Sequence, residues 1–318
     1  MKDENEMARE EHQLRALFAD CTEELALVLR EKNLRVPDAV TINYGSPNER
    51  ELITLCHGID VLFVEHTVVT RAVLDACPSL RAIIFMGTGA GTYIDLADAA
   101  RCGVQVLTTP GYGDRAVAEH AFALMFAAAR RVAVMDRQIR AGEWLPTGGL
   151  QLAGEKIAII GLGGIGATMA HMASSIGMKV AGWSRTPREE PWFVGNIDLA
   201  LNGASVVSVH LSLTDETRGI LDARRLRLPA KGYILVNTAR AALVDEEALL
   251  RGLVDGTIGH AALDVFPDEP LASGNPYARQ ENATLTAHAA YMTSAAYEEL
   301  WRRTLLAFER VKTESAQQ

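Results

Sequence analysis

Apolar positions along the chain follow two rhythms. Short, nearly continuous runs rich in Val, Ile and Leu alternate with longer stretches in which apolar residues recur every three or four positions, the spacing of an amphipathic helix. The runs predict strands at 14–19 (LRALFA), 39–44 (AVTINY), 60–66 (DVLFVEH), 81–87 (RAIIFMG) and 103–109 (GVQVLTT), with a helix over 21–32 capped by Thr22. A helical patch from Asp114 to Arg140 has no internal Pro or Gly and reads as one long helix; Gly148 and Gly149 then loosen the chain. A second series of strands follows at 156–161, 179–184, 205–211, 232–237, 260–266 and 283–287, and a last helix spans Ser294 to Lys312. Residues 1–11 carry seven charges and read as a solvated tail. Strands alternating with helices imply crossover connections and parallel sheets, and nearly unbroken apolar runs imply helices on both faces. The prediction is two α/β units joined near 110–150.

The 318 residues are 48% hydrophobic and 22% charged, the profile of a globular protein of about two domains. The net charge of −9 argues against nucleic acid or an anionic membrane as the main partner. The longest apolar run, Ala121–Ala129, is far short of the roughly 20 residues of a bilayer span. With no secretory pattern at the start, a cytoplasmic location is expected. Cys21, Cys56, Cys77 and Cys102 form no CxxC pair, so reduced thiols are expected and no metal site.

Candidate chemistry begins at Gly161, Gly163 and Gly166, in G-x-G-x-x-G spacing between a strand and a helix. That context is the one a dinucleotide site needs: the turn, with Gly164 and Ile165 in it, presents helix-terminal N–H groups to a pyrophosphate. At the end of the next strand a carboxylate would select NAD(H) by bonding the ribose hydroxyls, but the chain has Ser184, Arg185 and Thr186. A guanidinium there suits a 2′-phosphate, so NADP(H) is favoured, with NAD(H) compatible if Arg185 is a solvated turn residue or stacks on adenine.

Ligands of open α/β sheets bind outside the carboxyl ends of the strands. Arg240, Glu269 and His288 each follow such an end. A cation, a carboxylate and an imidazole beside a nicotinamide suit hydride transfer to a 2-keto acid: Arg240 holds the substrate, His288 exchanges a proton, and Glu269 orients the ring. Singly, each is as ordinary as a helix-end cation, a turn carboxylate or a structural histidine; shared placement links them.

At these residues the chain resembles the D-isomer-specific 2-hydroxyacid dehydrogenase family, through AVAEHAFALM (116–125), IIGLGGIG (159–166), LVNTARAALVDEEAL (235–249), AALDVFPDEP (261–270) and ATLTAH (283–288). The resemblance implies two doubly wound parallel-sheet domains: a Rossmann-type dinucleotide domain (113–289) and a flavodoxin-like substrate domain (1–112 and 290–318). It implies Arg240, Glu269 and His288 as the catalytic set, Asp264 near the nicotinamide carboxamide, and His210 and Thr238 lining the cofactor cleft. It also implies that the loop holding Thr88, Gly89, Ala90 and Gly91 binds the substrate carboxylate, and that the 114–140 patch dimerises the protein. The chain departs from the family pattern at Ala90, Gly113, Ala241 and Ala287, where Gly, Asn, Gly and Pro are usual. The expected activity is interconversion of a small D-2-hydroxy acid and its 2-keto acid, as in glyoxylate or hydroxypyruvate reduction. The alternatives are a dinucleotide-sensing binding module resembling a corepressor and an enzyme similar to phosphoglycerate dehydrogenase.

Overall fold

The structure, a computed structural model, describes residues 14–315, so the charged tail read at 1–11 lies outside the described residues. The chain divides into two compact units, one comprising the residues up to Gly113 together with those from Met292 onward, the other Asp114–Tyr291.

In the first unit, strands β1 (Ala16–Cys21), β2 (Val40–Tyr44), β3 (Val61–Val64), β4 (Ala82–Phe85) and β5 (Gln105–Thr108) form a parallel sheet in the order β2-β1-β3-β4-β5. This is the flavodoxin-like order. Helices α1 (Glu23–Glu31), α2 (Glu49–Leu55), α3 (Arg71–Ala76) and α4 (Leu96–Arg101) connect the strands. Each starts at a side-chain cap, of which the sequence predicts Thr22. Thr22 accepts from Leu25 N–H, Asn48 and Glu51 form a reciprocal capping box, and Thr70 and Asp95 cap the other two. The terminal helix, Ser294–Ser315, returns to this unit because its apolar face carries Trp301 and Phe308. The fully buried Trp301 ring lies 6.1 Å from Phe18 and 6.4 Å from Phe63, and its indole N–H donates to Arg35 O.

The second unit begins with α5 (Asp114–Ala129) and α6 (Val132–Arg140). The single helix expected over 114–140 is therefore two. Arg131 adopts left-handed backbone (φ 52°), and the Ala129 carbonyl accepts the Leu150 N–H. Gly149 permits that contact, since a Cβ there would stand 2.4 Å from Ala129 O. The break is made by a tertiary contact, which no Pro or Gly at 130–131 announces.

Strands β6 (Lys156–Ile160), β7 (Lys179–Trp183), β8 (Val206–Val209), β9 (Tyr233–Asn237), β10 (Ile258–Leu263) and β11 (Ala283–Leu285) form a parallel sheet ordered β11-β10-β9-β8-β6-β7. Its apolar runs are continuous because both faces are covered. Ile157 and Ile159 of β6 join one core with α5 and with α7 (Gly164–Ser175), whereas Ala158 and Ile160 join another with α8 (Ile197–Leu201) and α9 (Glu246–Asp255). The strand order reverses between β6 and β8, which places a crevice at their carboxyl ends.

All four cysteines are free thiols; burial pushes Cys21 and Cys56 up to about 12. No described helix is long and apolar enough to cross a membrane, and among the described residues no group of three His, Cys, Asp or Glu could hold a metal ion.

Candidate active site

The glycine turn occupies the reversal point of the second unit's sheet. Gly161 has φ +108°, and a Cβ there would lie 2.6 Å from the backbone of His210, so only glycine suits both the conformation and the space. A Cβ at Gly166 would meet the Gly161 carbonyl oxygen at 1.8 Å, so α7 is pressed directly onto the turn. Gly163, the N-cap of α7, is different: nothing lies within 4 Å of its missing Cβ. That open cradle in front of a helix N-terminus is the shape a pyrophosphate requires. Gly164 and Ile165 are the first helical residues, and a Cβ on Gly164 would strike the carboxylate of Asp114.

The turn after β7 lies beside this cradle, since Gly161 N–H donates to Trp183 O at 2.7 Å. Ser184 Oγ donates to Thr186 O, and Arg185 reaches Glu216, Nη1 to Oε2 2.5 Å, with both side chains well exposed. His210 follows β8. Its Nε2 pairs with Ser208 Oγ at 2.8 Å, its Nδ1 has no hydrogen-bond partner among the described residues, and burial holds the ring down to about 4, hence neutral at pH 7. The buried Thr238 hydroxyl at the end of β9 is likewise without a partner among the described residues. An open cradle at the glycine turn, with the orphaned His210 beside it and the orphaned Thr238 at the same end of the sheet, fits a dinucleotide.

Three neighbouring strands, β9, β10 and β11, deliver Arg240, Glu269 and His288. His288 Nδ1 lies 2.6 Å from Glu269 Oε2, with each side chain about one-third exposed. Burial opposes ionisation of Glu269, but hydrogen bonds from His288 and Phe266 N–H, with the charges of His288 and Arg240, outweigh it and leave the carboxyl below its ordinary value. Arg240 donates to Ala239 O, and its backbone turn is fixed by Asn237, whose side chain bonds both Arg240 O and Ala239 N–H.

Asp264 is fully buried and its carboxylate is occupied by the chain itself. Thr286 Oγ1 and Ala289 N–H donate to Oδ1, and Ala290 N–H donates to Oδ2. Burial disfavours the ionised form, yet these bonds and His120 hold the carboxyl below its usual range. The structure thus puts Asp264 beneath the histidine loop, just past the carboxyl end of β10. His288 itself has left-handed backbone (φ 50°), a conformation that costs a non-glycine residue roughly 1 kcal/mol.

In the first unit, the segment after β4 makes one tight turn over Ala90–Thr92, in which Thr92 N–H reaches Gly89 O and Tyr93 N–H reaches Ala90 O. The N–H groups of Thr88, Gly89, Ala90 and Gly91 precede the first of those donors and are left outside that ladder. Sequence reasoning missed Asp114, His120, Glu216, Asn237 and Thr286. Each acts from a distant position or through a small polar side chain; His120, Asn237 and Thr286 lie inside the quoted stretches 116–125, 235–249 and 283–288, which gave the only signal for them.

Residues 122–290 match the family model described as D-isomer specific 2-hydroxyacid dehydrogenase, NAD binding domain. The chain is 37% identical over 284 residues to a glyoxylate reductase of Aeropyrum pernix, covering 84% of this chain and 83% of that one. It is 31% identical over 281 residues to a glycerate dehydrogenase of Methylorubrum extorquens, covering 81% and 88%. Among solved structures, an acyclic imino acid reductase (Bsp5) in complex with NADPH and D-Arg superposes with a TM-score of 0.80 at 28% identity, covering 96% of this chain and 98% of that one.

Proposed function

The chain belongs to the D-isomer-specific 2-hydroxyacid dehydrogenase family and is an NAD(P)-dependent oxidoreductase; from that premise we propose that it reduces a small 2-keto acid of the glyoxylate or hydroxypyruvate kind, with NADP(H) as preferred cofactor. The observation that carries this reading is the 2.6 Å contact of His288 with Glu269, at a sheet end whose next strand delivers Arg240. The nicotinamide, when bound, supplies the hydride to the substrate carbon or receives it. Arg240 pairs with the substrate carboxylate and polarises the carbonyl. Glu269 occupies Nδ1 of His288, so Nε2 is the ring nitrogen left to give a proton to the carbonyl oxygen in reduction and to take one from the hydroxyl in oxidation.

In the same reading, Gly161, Gly163, Gly164, Ile165 and Gly166 hold the pyrophosphate, with His210 and Thr238 along the cofactor. Residues 114–291 form the dinucleotide domain, and Thr88–Gly91 receives the substrate carboxylate on backbone N–H groups. The preference for NADP(H) is supported by the absence of a carboxylate at 184–186 and by the Arg185 guanidinium, which a 2′-phosphate would draw from Glu216. A homodimer through α6 is supported by that helix burying none of its residues, with Val132 and Ile139 each 53% exposed.

The test is a panel of glyoxylate, hydroxypyruvate, pyruvate and 3-phosphohydroxypyruvate with NADPH and NADH, following absorbance of the reduced nicotinamide, alongside His288→Ala. Turnover of the small keto acids by the wild type, with the variant at least a thousandfold slower, is the expected result. Tight cofactor binding with no turnover of any substrate would favour the binding-module reading, and preference for the phosphorylated acid would replace the substrate.

A further inference from the structure

We propose that His120, Thr286 and Asp264 form a hydrogen-bonded strut whose function is to position His288, which makes His120 and Thr286 positioning residues for the reaction. The inference rests on the reading of His288 as the proton-transfer group. Its geometry is confined to the second unit.

Three successive N–H groups converge on one residue. His288 N–H donates to the Asp264 carbonyl at 2.8 Å, Ala289 N–H to Oδ1 at 3.0 Å, and Ala290 N–H to Oδ2 at 3.0 Å. An extended chain points successive N–H groups to opposite sides, so this convergence needs a residue out of the extended and right-handed regions. His288, at φ 50°, is that residue. The result is a backbone nest, of the kind that elsewhere binds a free anion, filled here by a carboxylate of the chain. The unusual backbone of His288 and the buried charge of Asp264 therefore explain each other.

The carboxylate must itself be held. Thr286 Oγ1 lies 2.5 Å from Asp264 Oδ1, and since Asp264 is ionised the hydroxyl spends its single proton on that bond. The 3.1 Å contact between Thr286 Oγ1 and His120 Nε2 then requires the imidazole to be the donor. The direction is therefore His120 Nε2–H to Thr286 Oγ1–H to Asp264 Oδ1, with the same imidazole nitrogen 3.5 Å from that oxygen. His120 comes from α5, more than 140 residues away in sequence from the strand end it supports, so the strut anchors the histidine loop to a helix on the sheet face. The 2.6 Å bond to Glu269 orients the imidazole of His288, whereas the strut sets where its backbone stands. Proton transfer is sensitive to displacements of a fraction of an ångström, so the backbone anchor bears on rate more than on binding.

The test compares Thr286→Val, which keeps shape and removes the hydroxyl, with Thr286→Ser, which restores it, and with His120→Ala, which removes only the partly exposed end. Expected for Thr286→Val is a kcat lower by about tenfold or more, with substrate KM and cofactor Kd within about twofold, and amide hydrogen exchange in the peptide spanning 286–291 faster by about tenfold. Thr286→Ser should return both toward wild type, and His120→Ala should give a smaller change in the same direction. Wild-type exchange in Thr286→Val overturns the strut. Faster exchange with unchanged kcat overturns its role in positioning His288. Should Thr286→Val fail to fold, His120→Ala carries the same two readouts. If the wild type reduces no keto acid, the proposed function fails, while exchange still decides whether the strut holds the loop.

Discussion

Alanine at Gly166 and alanine at Gly163 differ by one methyl group each from the same motif, and the structure assigns them unequal consequences. At 166 the added Cβ would sit 1.8 Å from the Gly161 carbonyl oxygen and 2.9 Å from its carbon, so α7 and the turn must part by about 1.6 Å to reach ordinary contact. Neither side yields easily. The Gly161 N–H is bonded to Trp183 O, and the Ile160 carbonyl accepts from His210 N–H. Replacing a helical glycine by alanine recovers about 1 kcal/mol of propensity, whereas forcing apart two packed backbones costs about 3 kcal/mol. The net loss of roughly 2 kcal/mol lowers Tm by about 5 °C for a unit of this size. Displacing α7 also misplaces its N–H groups, so NADPH should bind at least tenfold more weakly. At 163 nothing lies within 4 Å and φ is −73°, which alanine adopts freely. Gly163→Ala should lose only the roughly 1 kcal/mol by which glycine exceeds alanine at an N-cap, about 3 °C in Tm, yet lose at least tenfold in cofactor affinity because the methyl fills the cradle. Differential scanning calorimetry and quenching of protein fluorescence by NADPH measure both quantities. If Gly166→Ala melts and binds like wild type, or if Gly163→Ala is the less stable of the two, the close-packing argument is wrong.

Other consequences follow from the charges. His210 and His260 are held to about 4 by burial, against an ordinary 6.5, so the unfolded chain takes up protons between those values while the folded chain does not. Stability is therefore full above pH 6.5 and falls as pH drops toward 4, by roughly 2 kcal/mol per ring at pH 5; a urea midpoint unchanged between pH 7.5 and 5 would contradict this. Arg185→Asp should lower the NADPH/NADH ratio of kcat/KM at least tenfold, and Glu216→Gln, by freeing the guanidinium, should tighten NADPH binding two- to fivefold with NADH unaffected. An unchanged ratio in the first variant removes Arg185 from cofactor choice. Replacing exposed Ile139 of α6 by Glu should convert a two-chain species to one of 34.4 kDa in sedimentation, and a wild type already at that mass refutes the dimer.

Much of this protein was determined by local pattern alone. The inner strands of both sheets coincide with apolar runs, because a strand covered on both faces has to be apolar at successive positions, as at Ile157–Ile160, whereas the edge strands β2 and β5 expose polar residues such as Thr41 and Gln105. The cap at Thr22 was equally legible, being a bond between residues three apart. So were Gly161 and Gly166, where a turn and a helix must touch within five residues. Only the tertiary structure decided what depends on residues far apart in sequence. The helix break at Arg131 is made by Leu150, and Asp264 is closed off by amides more than twenty positions later. Arg185 meets Glu216, and the histidine loop leans on His120 from the start of the unit. Hydrogen bonds of small polar side chains leave no periodicity in a sequence, since their partners are chosen by the folded positions of the strands and not by spacing along the chain.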